Sequence, residues 1–326
     1  MTAVRELYLG VEIGATRQQV ALSDAAGELL CLVSEKVPLL HGAADVRQWL
    51  LRQLPQLIAR EAEFAGTVRA VGAGFGGVLE SRTGRIRVST QVPGWQDFPL
   101  RDWLTETFHL PAVVANDTVA GGYGELCCGA GVDAQHFFYS HIGSSIGGAM
   151  FLDRRPYDGL GLGAAYLGHT YIPDWTSDVA GREDRLENIC SGWSIERRLR
   201  TPGYVAPGSR LMPLCDGDVS SLTCAMLGEA ARGGDPFALD EINRIARSYA
   251  IALSNLVTLL APDVVAIGGG VAHLGQILFE PVCRYTQEHV FASVRGAYRI
   301  VPWALLDAAV PVGAALLARD RAAQTT

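Results

Sequence analysis

Three clusters of small residues, each directly behind an apolar run, constrain this chain more than any other feature. Leu7-Tyr-Leu-Gly-Val-Glu-Ile-Gly14 leads into Ala15-Thr16, Phe137 to Ile142 into Gly143-Ser144-Ser145, and Asp263 to Ile267 into Gly268-Gly269-Gly270. An apolar run that stops at glycine reads as a buried strand ending in a tight turn. Such turns expose backbone N–H groups and admit phosphate oxygens closely. None carries the Gly-Lys-Ser/Thr of a P-loop, and any one alone is more often a plain turn. With 37 Gly in 326 residues, glycine exceeds the usual ~7%, and the excess sits in clusters of this kind.

The intervening segments alternate in type. Gln18 to Ser23 follows the first turn as a second strand ahead of Ala25-Ala-Gly27, so the chain opens as a β-hairpin. From Asp45 to Ala62 the apolar positions Val46, Trp49, Leu50, Leu54, Leu57 and Ile58 have helical spacing, with Asp45 as a cap and Pro55 as a kink or split. Val68 to Gly74 is a strand leading into Gly74-Phe-Gly-Gly77. Pro111 to Ala115 is another, with Asn116-Asp117 at its C-terminal end before a helical stretch. Ile146 to Leu152 reads as a strand and Arg244 to Leu260 as a long helix. Strands alternating with helices predict an α/β architecture, and the length suits two domains. No internal repeat of fixed period is visible.

Composition removes several classes. The net charge of −7 offers no electrostatic footprint for wrapping nucleic acid or an anionic membrane. Met1 to Gly10 carries Arg5 and Glu6 and lacks the apolar stretch of a secretory signal. Pro262 and the Gly268 run interrupt the most apolar segment before it could span a bilayer. Seven cysteines with no C-x-x-C pair predict reduced thiols and a cytoplasmic protein. Arg197, Arg198 and Arg200 read as a solvated helix face.

Two carboxylates flank the turns. Glu12 lies two residues before Gly14, and Asp117 ends a strand, where ligands of α/β sheets bind. Taken alone, Asp117 is equally a helix N-cap and Glu12 a solvated edge-strand residue. The order of the elements is more specific. Leu9 to Thr16, Gly72 to Gly77 with Thr83-Gly-Arg85 and Val92-Pro-Gly-Trp95, Ala115-Asn-Asp117, and Ile142 to Gly148 follow one another. Leu167-Gly-His169, Leu186-Glu187 with Ser191-Gly192, and Val265 to Val271 complete the series. From about residue 7 to Ala318 the sequence resembles the ROK family of repressors, open reading frames and kinases.

The resemblance implies an actin/hexokinase-type (ribonuclease H-like) fold of two α/β domains with a central cleft. The smaller domain would be residues 1–117 plus about 305–326, completed by a helix around Val312 to Ala318, and the larger one 118–304. It also implies an ATP- and Mg²⁺-dependent sugar kinase acting on a hexose or related sugar. Asp117 would be the general base, and Asn116, Asp117, His169 and Glu187 would bind the sugar. Glu12, Gly14, Thr16, Gly143, Ser144, Gly268, Gly269 and Gly270 would hold the nucleotide, with Glu12 also reaching Mg²⁺. A homodimer is the family expectation. The alternative is a non-catalytic sugar-sensing regulator. The first strand begins near Leu7, too early for a helix-turn-helix, so this chain alone is expected to bind no nucleic acid.

Departures from the family pattern stand out in four places: the two phosphate turns, the position of Tyr166 and the zinc positions. Glu12 replaces an Asp, Ala15 a Gly, and Ser144-Ser145 a Thr-Gly. Tyr166 replaces a sugar-binding Glu, and its ring could stack on an apolar sugar face. The three cysteines that bind the family's zinc are Asp178, Ala180 and Arg185 here, so no zinc is expected. Cys190, close by, reads as a small buried hydrophobe.

Overall fold

The computed structural model describes residues 4–14, 17–36, 42–89 and 92–324. In chain order its elements are β1 (Arg5–Ile13), β2 (Arg17–Asp24), β3 (Leu29–Lys36), α1 (Ala43–Ile58), β4 (Gly66–Phe75), β5 (Val78–Glu80), β6 (Arg85–Val88), α2 (Leu100–Phe108), β7 (Ala112–Asn116) and α3 (Asp117–Cys128). There follow β8 (Phe137–Ile142), β9 (Ile146–Leu152), β10 (Arg155–Pro156), β11 (Tyr171–Pro173), β12 (Glu183–Arg185), α4 (Leu186–Cys190), α5 (Gly192–Leu199), α6 (Leu211–Leu214), α7 (Cys224–Arg232), α8 (Pro236–Leu260), β13 (Val264–Gly268), α9 (Gln276–His289), β14 (Arg299–Pro302) and α10 (Ala309–Ala323). The chain divides into two compact units, one of residues 1–134, 149–164 and 304–326, the other of 135–148 and 165–303.

The first unit is built on a sheet ordered β3-β2-β1-β4-β7. β1 pairs antiparallel with β2, and β2 with β3, while β1, β4 and β7 run parallel. Because side chains alternate along a strand, Leu7, Leu9, Val11 and Ile13 pack with Val46, Trp49, Leu50, Leu54 and Leu57 of α1. Tyr8 on the opposite face packs with Ala315 and Ala318 of α10. That second face is unusually close to its helix. A Cβ on Gly10 would lie 1.8 Å from the Pro311 carbonyl oxygen, and one on Gly72 1.8 Å from that of Ala314. On the far side of the helix, a Cβ on Gly313 would meet the Ala120 carbonyl of α3 at 1.7 Å. The helix following Asp117 therefore belongs to the first unit.

Three local expectations change. β3 extends the predicted hairpin to three antiparallel strands; it lies at the sheet edge with five of its eight residues exposed, although it opens on the apolar run Leu29 to Val33. α1 starts before Asp45, with Gly42 as its N-cap, because the Pro93 carbonyl accepts the Ala43 N–H at 2.8 Å; Pro55 lies inside the helix, which runs on to Ile58. α8 begins at Pro236 rather than near Arg244, since the Asp235 side chain accepts from Ala238 N at 2.7 Å.

In the second unit β13 runs parallel to both β8 and β14. The sheet to which they belong is ordered β10-β9-β8-β13-β14. Each sheet thus places its first strand in the middle, its next two in sequence on one side, and its later parallel strands on the other. This duplication is one of topology, which a search for a fixed sequence period does not detect. The long α8 packs on α9 and α4, and its buried Tyr249 donates to Ser140 Oγ of β8 at 2.6 Å.

Candidate functional site

Register in the first sheet fixes the first group of residues. Glu12 lies opposite Gly74, and Gly74 opposite Ala115, so Glu12 and the Asn116-Asp117 junction occupy the C-terminal ends of parallel strands. Glu12 is not solvated, as only 12% of its side chain is exposed. Arg17 stands 3.7 Å from its carboxylate and forms a 2.8 Å ion pair with Asp307. The Gln19 amide nitrogen, turned toward two oxygens, donates to Glu12 Oε2 at 2.5 Å and to the Asp307 carbonyl at 2.7 Å. Burial raises the Glu12 pKa to about 7, against the pull of Arg17 and with further push from Asp117 and Asp307. The Gly14 N–H closes the turn onto the Arg17 carbonyl at 3.2 Å. Ala15 and Thr16 lie outside the described residues.

At the end of β7 the helix cap is Asn116 rather than Asp117. Asn116 Oδ1 accepts from Thr118 N at 3.0 Å, while its Nδ2 donates to the Gly77 carbonyl at 3.2 Å. Asp117 is the first residue of α3, and its Oδ1 accepts from Thr118 N at 2.8 Å. Its Oδ2 makes no hydrogen bond among the described residues. The arrangement is a half-buried carboxylate with one oxygen anchored and the other available.

In the second unit the turn between β8 and β9 gathers the other candidates. The Gly143 carbonyl accepts from Gly192 N at 2.8 Å, and its N–H bonds Ser145 O at 2.9 Å. Neither Ser144 nor Ser145 has positive φ, so serine costs no backbone strain at either position. Glu187 Oε2 accepts from Ile146 N at 3.0 Å, which ties α4 to this turn. A Cβ on Gly168 would lie 2.2 Å from the Ile146 carbonyl, so the Leu167–His169 turn presses on the same residue. Tyr166 and His169 are exposed and their rings are 6.1 Å apart. Just ahead of Tyr166, Ala165 adopts φ +61°. Gly269, at φ +93°, lies against the Ile142 backbone. Gly268 is seated between Tyr139 and Trp303, and Gly270 faces open space.

The structure therefore assembles Glu12, Gly14, Asn116 and Asp117 in one unit. It assembles Gly143, Ser144, Tyr166, His169, Glu187, Gly268, Gly269 and Gly270 in the other. Sequence reasoning missed Arg17, Gln19 and Asp307 around Glu12, although two glutamines in an otherwise apolar strand were a visible signal. It also misjudged the arginine cluster. Arg198 is largely buried and pairs with Glu241 at 2.9 Å, and it donates to the Ile189 carbonyl at 2.6 Å.

Glu12 offers the oxygen donors a hard cation such as Mg²⁺ takes, with Asp117 and Asp307 nearby, but Arg17 stands 3.7 Å from the same carboxylate and no group of three or more His, Cys, Asp or Glu gathers there among the described residues. The residues at the zinc positions do not suit zinc. The Asp178 side chain is 95% exposed and faces Arg244 at 3.6 Å, Ala180 has no donor, and Arg185 is itself a cation. Cys190 is fully buried, with its thiol on the Ile245 carbonyl of α8, and burial pushes its pKa up. Among the described residues no helix is long and apolar enough to cross a membrane.

Two sheets with this shared strand order, each with strands that run into glycine turns, make an actin/hexokinase-type fold. The chain belongs to the ROK family, which it matches over residues 8–321. A glucokinase of Thermotoga maritima is 30% identical over 315 residues, covering 96% of this chain and 97% of the relative. A ROK family glucokinase from Streptomyces griseus, solved in complex with glucose and AMPPNP, matches with a TM-score of 0.80 at 27% identity over 96% of this chain and 99% of that one. A putative xylose repressor of Caldicellulosiruptor sp. is 25% identical over 309 residues, covering 94% of this chain and 76% of the repressor.

Proposed function

We propose that this chain is an ATP- and Mg²⁺-dependent sugar kinase, transferring the γ-phosphate to a hydroxyl of a hexose or related sugar. The observation that carries this reading is Asp117, a half-buried carboxylate with Oδ1 anchored by Thr118 and Oδ2 making no hydrogen bond among the described residues, next to Glu12 at the strand ends. Oδ2 would take the proton of the attacking hydroxyl, while the anchored Oδ1 fixes the carboxylate plane. Glu187 and His169 would orient the sugar hydroxyls, with Asn116 holding the start of α3 and the Gly77 carbonyl in place. The Gly143-Ser144 and Gly268–Gly270 turns would hold the nucleotide, with Gly14 and Thr16 contributing from the first turn; the Gly14 and Gly143 N–H groups close their own turns, so their part would be to shape the turn rather than to donate. Glu12 would hold Mg²⁺, which when bound neutralises charge developing on the phosphates. The glucokinases among the relatives support this reading, and the nucleotide analogue bound by the Streptomyces griseus enzyme supports ATP as donor.

A sugar-sensing regulator is the second reading, favoured by the repressor relative and by Tyr166 in place of a carboxylate. A panel of hexoses, N-acyl amino sugars and pentoses, assayed with Mg-ATP for ADP release and by calorimetry for binding, separates the two. The kinase reading expects sugar-dependent ADP release. Sugar binding without turnover would overturn it in favour of the sensor.

A further inference from the structure

The zinc of the family would cross-link the segment that joins His169 to Glu187, and in this chain that segment lacks the donors. We infer that a metal-free clamp, formed by Trp175 stacked on Arg247 and by Asp174 braced on Arg182, holds the segment instead. Trp175 and Asp174 are thereby positioning residues for His169 and Glu187. For its kinetic consequence this inference rests on the sugar-kinase reading.

The chain path makes the segment consequential. His169 ends the turn immediately before β11, and Glu187 is the second residue of α4, immediately after β12. Between them β11 and β12 pair over only three positions, Tyr171 with Arg185 through Pro173 with Glu183. Two strands that short are marginal on their own, and a loop of the length of 174–182 does not fix their spacing.

The fixing contacts come from the loop and from α8. The Asp174 N–H bonds the Arg182 carbonyl at 2.9 Å, closing the neck of the loop. The Asp174 carboxylate, 8% exposed, accepts from Thr176 N at 2.9 Å and Thr176 Oγ at 2.6 Å, and faces the Arg182 guanidinium at 3.5 Å. Arg247 of α8 lies 3.4 Å from the centre of the Trp175 ring, a full-contact cation–π stack. The next residue, Ser248, accepts from Trp175 N at 3.1 Å and donates to the Pro173 carbonyl at 3.1 Å. Adjacent residues of one helix thus grip both sides of the turn into the loop. Guanidinium groups bound to a carboxylate and an indole cross-link the segment in the way a metal would, and they require no ligand from outside the chain.

The test combines metal analysis, kinetics and hydrogen exchange on the full chain. Purified protein should hold no stoichiometric zinc by mass spectrometry, and a zinc-selective chelator in excess Mg²⁺ should leave the sugar KM unchanged. Trp175→Ala should lower kcat/KM for the sugar by roughly 10- to 100-fold while leaving the KM for ATP unchanged. Trp175→Phe should restore most of the loss, and Arg247→Gln should reproduce the alanine phenotype if Trp175→Ala folds poorly. Amide exchange over 170–187 should rise in the same variants and stay low in α8. Stoichiometric zinc, chelator sensitivity, or a Trp175→Ala protein with wild-type exchange over 170–187 would overturn the clamp. If no sugar is turned over, the kinase reading fails while metal content and exchange still decide the clamp.

Discussion

Glycine does two different jobs in the two units of this molecule. In the first, Gly10, Gly72 and Gly313 let α10 approach the sheet and α3 so closely that any side chain would overlap a backbone carbonyl. In the second, Gly268, Gly269 and Gly270 shape a turn whose last member faces open space. The first group is spent on packing, as are Gly268 and Gly269 within the second, where Gly270 lies on a surface that a ligand can reach. A glycine-rich composition is therefore not by itself a count of ligand contacts, because part of the excess lies where backbone meets backbone.

Substitutions separate the two roles. Gly72→Ala places a Cβ 1.8 Å from the Ala314 oxygen, so α10 must move; denaturant unfolding should show a loss of roughly 3 kcal/mol or more, beyond ordinary overpacking. Burial in this unit acts on Glu12 as well. Its folded pKa, about 7 against 4.5 for the free side chain, means that the folded chain binds more protons than the unfolded one between those values. Stability without Mg²⁺ should therefore fall as pH rises from about 4.5 to about 7, by at most about 3 kcal/mol. Glu12→Gln should flatten that slope, and an unchanged slope would assign it elsewhere.

The second unit should respond more mildly. Gly268→Ala sets a Cβ 2.5 Å from Tyr139 Oη and 2.6 Å from the Trp303 ring; those side chains can shift, so about 1–3 kcal/mol is expected by thermal unfolding. Ala165 holds φ +61°, so Ala165→Gly should stabilise by up to about 1 kcal/mol, since glycine adopts that geometry without strain. Gly270→Ala meets nothing within 4 Å, and its stability should change by less than about 0.5 kcal/mol, with the effect appearing in the KM for ATP. A Gly270→Ala protein as unstable as Gly72→Ala would erase the distinction between the two roles.

Much of this was legible in the sequence, for reasons that also explain what was not. The strands before each glycine turn stand out because they are buried on both faces and read as continuous apolar runs, and β8 and β9 match their expected ends. The seat of α10 could not be read, since Gly10 and Gly72 look like weak points in strands until a helix over 230 residues away is brought onto them. Glu12 looked solvated because its burial comes from Gln19 and Asp307, one on the neighbouring strand and one near the C-terminus. Arg198 looked like a surface charge because its partner, Glu241, lies 43 residues on.

The account rests on Asp117, and one comparison tests it directly: the rate of ADP release at saturating Mg-ATP and hexose for the wild-type chain and for Asp117→Asn. Loss of the anchored base predicts sugar-dependent release in the wild type and a fall of about 10²- to 10⁴-fold in the variant, with sugar binding by calorimetry retained. Equal rates from the two proteins would contradict the account.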